Sequence, residues 1–162
     1  LLILMFSATL TGSIISNYEH AFEVMPVLVS FIPMLMDTGG NCGSQSSTLI
    51  IRGLAIDEIK FSDFFKVVFK EFRISIVVGI MLGIANGIRI VLLNHDVYLA
   101  FVVSASIVVT VMISKFVGCV LPIVAKRLKM DPAIMAAPLI TTIVDTLSIM
   151  VYFSIASQIF NL

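Results

Sequence analysis

The sequence predicts an all-α, polytopic membrane protein with five transmembrane helices, and two observations carry that expectation. Of 162 residues, 59 % are hydrophobic and 12 % charged, with a mean hydropathy of +1.13, whereas a soluble domain is only about half apolar. Apolar runs of helix length also follow one another along the chain, each suited to a hydrocarbon core of about 30 Å at 1.5 Å per residue. Ten basic and ten acidic residues give a formal net charge of zero, so overall charge recruits no nucleic acid. The lipid bilayer is the expected surroundings.

The first run, about residues 1–16, opens as "LLILMFSATL" with no Met and no basic flank, and reads as a cut-off span rather than a signal peptide. The second, about 24–51, contains "MLMDTGGNCGSQ". Residues 56–72 follow, with Ile56, Ile59, Phe64, Val67 and Val68 near helical spacing among charges, the pattern of an amphipathic helix lying at the membrane interface. The third and fourth spans are about 74–93 and 99–125. The fifth runs over 132–160, with Asp131 as N-cap and Pro132 at the first helical position. The whole of 1–162 reads as one membrane domain.

Lys and Arg in short loops set orientation. Arg52, Lys60, Lys66, Lys70 and Arg73 follow the second span, and Lys126, Arg127 and Lys129 precede the fifth, while "NYEHAFE" and "NHDVY" carry none. A plasma-membrane protein with a cytoplasmic N-terminus and an extracytoplasmic C-terminus is expected. Arg89 lies near the outer end of the third span, where its stem reaches the headgroups.

An Asp near the bilayer centre costs about 2.5–3.5 kcal/mol, so ionisable residues within the spans need a reason. Asp37, fifteen residues from Arg52, and Asp145, fourteen from Asp131, both lie roughly 21–22 Å along straight helices from the basic side. Two carboxylates at one depth repel unless a proton, a cation or a basic side chain intervenes. Lys115 is placed to pair with one of them, which leaves the other.

Helical spacing places Pro138, Thr141, Asp145 and Ser148 on one face, and Pro33, Asp37, Gly40, Asn41, Ser44, Gln45 and Thr48 on another. Two such stripes would line a wet path. Gly39 and Gly43 form GxxxG, and Gly79, Gly83 and Gly87 repeat that spacing in the third span, where it reads as a helix-packing, dimerising face. Cys42 and Cys119 stand far apart without CxxC or Cys/His spacing and indicate neither a disulfide nor zinc. Oxygen donors without imidazole or thiolate ligands favour a hard cation, Mg²⁺ or Ca²⁺, with Mn²⁺ or Co²⁺ as competitors.

Asp-Thr-Gly is also an aspartic-protease signature, but those soluble enzymes are β-proteins. Asp145 lies in "TTIVDTLS", outside the Gly-x-Gly-Asp context of intramembrane proteases, which remain a remote alternative. No GxxxxGK[ST] stretch suggests ATP-driven pumping. The expectation is a transporter, not an enzyme.

"PMLMDTGGNCGSQSSTLIIRGLA", residues 33–55, and "DPAIMAAPLITTIVDTLSIMVYF", residues 131–153, closely resemble the two signature helices of the MgtE family of magnesium transporters and channels. That resemblance implies a homodimer with its ion path between subunits, lined by the second and fifth helices. It implies the main magnesium site at Asp145 and a pore-wall contribution from Asn41, with Asp37 as a further candidate. Thr141 joins the expected metal-site group, while Gly40, Ser44, Gln45, Pro138 and Ser148 are expected to line the pore. The resemblance also implies cytoplasmic regulatory domains, which are expected to be absent from this chain, either trimmed off or lacking in this member. A Na⁺- or H⁺-coupled exchanger is the alternative, with Asp37 and Lys115 as a proton-linked pair.

Overall fold

The structure, a computed structural model, describes residues 2–18 and 23–161, with side chains placed for all of these except 2–4, 6, 7, 10 and 133–138. Glu19, His20 and the side chain of Pro138 therefore lie outside the described residues. The described chain is helical throughout: α1 (Leu2–Asn17), α2 (Ile32–Ala55), α3 (Phe64–Asn94), α4 (Val97–Arg127) and α5 (Pro132–Phe160), with 3₁₀ turns at Pro26–Phe31 and Phe61–Asp63.

Local chemistry accounts for the helix ends. The Asp96 carboxylate accepts a hydrogen bond from the Leu99 amide at 2.9 Å and caps α4. Lys126 and Arg127 close the same helix, where cations complement the exposed carbonyls of its last turn. Asp57, His95 and Lys129 turn the chain out of α2, α3 and α4 with positive φ of 55–58°, a left-handed conformation usual after a helix.

Among the described residues, three helices are long and apolar enough to cross a membrane, over Phe61–Asn94, Val97–Arg127 and Leu139–Phe160. α1 is shorter at 16 residues, and α2 carries the polar motif along its length. α4 is the central element, packed on α2, α3 and α5, while α1 rests on α5. The main core combines Leu28, Leu35, Val103, Ile107, Ile149 and Phe153. Tyr152 is buried there too, and its hydroxyl donates to the Leu28 carbonyl at 3.0 Å.

Two expectations change. The amphipathic segment is not a separate interfacial helix over 56–72: α3 starts at Phe64 and runs unbroken for 31 residues. Phe64, Val67 and Val68 pack on a second cluster, Ile50, Leu54, Cys119 and Ile123, so their apolar side meets protein. Nothing between Phe64 and Asn94 breaks the helix. The Gly79, Gly83 and Gly87 face, in turn, packs on α4 of the same chain, so its helix-packing role is met without a second chain, with Gly87 half-exposed at the end of the seam. A Cβ at Gly79 would stand 3.2 Å from the Val108 backbone, and one at Gly83 the same distance from the Ser104 carbonyl. These glycines let α3 and α4 approach within one chain, and the Ser104 hydroxyl donates across the seam to the Gly83 carbonyl at 2.8 Å.

Candidate ion site between the second and fifth helices

α2 has two unlike faces. Leu35, Gly39, Cys42, Gly43, Ser46, Ser47 and Ile50 are buried, whereas Asp37, Asn41, Gln45, Thr48 and Arg52 are exposed. Steps of four, four, three and four residues put the second set in one line along the helix. The Thr48 hydroxyl bonds back to the Ser44 carbonyl at 2.8 Å. In a bundle with lipid-crossing helices, carboxylate and amide groups on an outward face require water, an ion or another protein surface.

Glycines bring α5 against this helix. A Cβ on Gly39 would fall 2.7 Å from Val144 and 3.1 Å from the Ser148 hydroxyl, and one on Gly43 2.7 Å from Ile140. As α2 advances from Gly39 to Gly43, its contacts on α5 retreat from Ser148 toward Ile140, so the two helices run antiparallel. Gly40, at the edge of the seam, looks toward the Thr141 methyl, 3.7 Å from its would-be Cβ. Asp145 follows Thr141 by one turn and is half-buried, as are Thr141, Gly40 and Ser44. The antiparallel register sets Asp145 near the level of Asp37 and Gly39. Ser148 differs from its expected place: it is buried, with its hydroxyl donating to the Val144 carbonyl at 2.6 Å. Close approach at Gly39 covers it, so it contributes to helix packing rather than to the open face.

Lys115 does not pair with either aspartate. Its ammonium donates to the Ser46 hydroxyl at 3.0 Å and lies 3.3 Å from Glu71, while Ser46 donates to the same Glu71 oxygen at 2.7 Å. Ser46 is nine residues beyond Asp37, roughly 13 Å along the helix, which sets Lys115 well away from Asp37. Glu71 and Ser46 escaped the sequence reading. The available signal was Lys115 itself, a buried cation in need of an acid.

Oxygen donors dominate the α2–α5 edge, a set suited to a hard cation. Among the described residues, no three His, Cys, Asp or Glu side chains of one chain gather into a cluster.

Residues 32–155 match the MgtE family, described as divalent cation transporters. Three relatives, each named magnesium transporter MgtE, align over nearly the whole chain. The protein from Bacillus subtilis is 38 % identical over 97 % of this chain, that from Thermus thermophilus 35 % over 96 %, and that from Enterococcus faecalis 32 % over 98 %. The alignments cover 35 %, 34 % and 35 % of those relatives, so the chain spans about a third of their length.

Proposed function

The chain belongs to the MgtE family of divalent cation transporters, and from that premise we propose that it conducts Mg²⁺ across the membrane as half of a homodimeric pore. All five helices cross the bilayer in this reading, with the N-terminus cytoplasmic. The outward stripes of α2 from two copies face each other, and α5 adds Asp145 from each. The observation that carries the proposal is the line of exposed polar groups at Asp37, Asn41 and Gln45 on a helix packed among apolar ones.

Mg²⁺ sheds its water reluctantly and is usually held through few carboxylates. A sparse site of paired Asp145 carboxylates, with Asp37, Asn41 and Thr141 oxygens nearby, suits a largely hydrated ion. An inside-negative potential moves a divalent ion with about 4.6 kcal/mol per 100 mV, so no coupled gradient is needed. Mn²⁺, Co²⁺ and Ca²⁺ are the competitors expected at oxygen ligands. Exchange with Na⁺ or H⁺ would have drawn on an Asp37–Lys115 pair, and Lys115 is instead held by Glu71 and Ser46.

Reconstitution into liposomes with an internal Mg²⁺ indicator tests this. Uptake is expected to follow voltage and ignore Na⁺ and pH gradients. Asp145→Asn is expected to reduce it by about tenfold or more, the scale of loss when a partner of a bound metal or of its ligands is removed. Uptake by Asp145→Asn at the parent rate, with insertion equal, would overturn the assignment.

A further inference from the structure

The first turns of α3 sort their charges by direction. Lys66, Lys70 and Arg73, at steps of four and three, are all exposed, whereas Glu71 is buried and held by Lys115. The acid that would neutralise this stripe is thus turned inward. Lys66 meets the Asp63 carboxylate only at 3.7 Å, with 85 % of its side chain exposed, a contact of little strength in water. Lys70 and Arg73 have no acidic partner among the described residues. The three cations border a surface groove of about 610 Å³ that continues onto Ile74, Val77 and Val78.

Depth and neighbouring groups indicate what fills it. Residues 74–93, twenty in number and apolar except for a few polar positions, span roughly 30 Å as a helix. This sets Arg73 at the edge of the hydrocarbon and Lys70 and Lys66 among the headgroups. Beside the cationic stripe runs an aromatic one: Phe65, Phe69 and Phe72 are 82 %, 63 % and 43 % exposed. Such rings favour the lipid interface over water, so this surface meets lipid rather than a soluble acidic domain.

We propose that the groove is a binding site for one anionic phospholipid, with its phosphate on Lys66, Lys70 and Arg73 and an acyl chain along Ile74, Val77 and Val78. The inference rests on α3 crossing the membrane but not on the ion path. A bound lipid would steady the junction between the amphipathic start of α3 and its span, directly behind Glu71.

Native mass spectrometry of the detergent-purified protein, titrated with phosphatidylglycerol or phosphatidylcholine, provides the test. Phosphatidylglycerol is expected to be retained in preference. The triple variant Lys66→Gln, Lys70→Gln, Arg73→Gln is expected to lose roughly a hundredfold in apparent affinity for it, from about fivefold per removed cation. The charge-preserving triple Lys66→Arg, Lys70→Arg, Arg73→Lys should keep that affinity. The proposal is overturned if the neutral triple retains phosphatidylglycerol like the parent, if the parent does not distinguish the two lipids, or if millimolar inorganic phosphate displaces the lipid. Because the readout is lipid retention, a failed Mg²⁺ uptake assay would leave it unaffected.

Discussion

Lys115 and Glu71 form a buried ion pair, Nζ to Oε2 at 3.3 Å, with each side chain only 8 % exposed. Ser46 closes a triangle with them, so one polar contact ties together α2, α3 and α4. Removing one member of a buried pair strands the other charge, at a cost of about 3–5 kcal/mol, whereas replacing both with apolar groups is often near neutral. Glu71→Gln is therefore expected to destabilise strongly, and Glu71→Leu with Lys115→Met to restore most of the loss. Thermal unfolding is readable through maleimide labelling of the buried Cys42 and Cys119, a useful probe in a chain without Trp. Equal melting of the single and double variants would refute the pairing.

Gly118 faces Gly43 where α4 crosses α2, and a Cβ there would collide with the Gly43 backbone carbonyl. Backbone cannot step aside as a side-chain tip does, so Gly118→Ala forces the helices apart. Overpacking of this kind costs about 1–3 kcal/mol, sometimes more. Gly12 offers the contrast, since nothing lies within 4 Å of its would-be Cβ. Gly12→Ala should be neutral or stabilise by up to about 1 kcal/mol through helix propensity. Melting temperatures of the two variants check the contrast, which fails if both fall equally.

Periodicity reveals the face of a helix, but not the neighbour it meets. The Asp131–Pro132 start of α5 and the polar line on α2 were legible, because each is set by local pattern, whereas the start of α3 at Phe64, ten residues before its apolar run, was not. The destination of the Gly79, Gly83 and Gly87 face was not, since the same spacing serves contact within a chain and between chains. Glu71 escaped notice for a related reason: it stands between Lys70 and Arg73, and only the rotation of α3 against α4 turns it inward. Ser148 shares a helical face with Asp145, yet Gly39 brings α2 close enough to cover one and leave the other half-open. Gly118 follows Thr110 and Ser114 at steps of four, a small-residue spacing that signals a close crossing without naming the helix that makes it.

Gly40 separates folding from conduction. Its would-be Cβ meets the Thr141 methyl at 3.7 Å, an ordinary contact, so Gly40→Ala should fold and melt at or slightly above the parent temperature. The added methyl nevertheless sits at the edge of the α2–α5 seam, beside the proposed path. Reduced Mg²⁺ uptake with unchanged melting is the expected result in liposomes. Uptake equal to the parent would move the path away from this edge.

The exposed line on α2 also predicts where a second copy docks. With Cys42→Ala and Cys119→Ala removing native thiols, a cysteine introduced by Asn41→Cys or Gln45→Cys should approach its twin across the two-fold axis. Short bismaleimides should then join the chains into a species of twice 17.7 kDa. Ile84 provides the control: it lies on α3 and is 59 % exposed, on a surface expected to meet lipid. Ile84→Cys should remain monomeric under the same treatment. Efficient linking through Ile84 with none through Asn41 or Gln45 would relocate the dimer contact to α3 and leave the polar line on α2 in need of another partner.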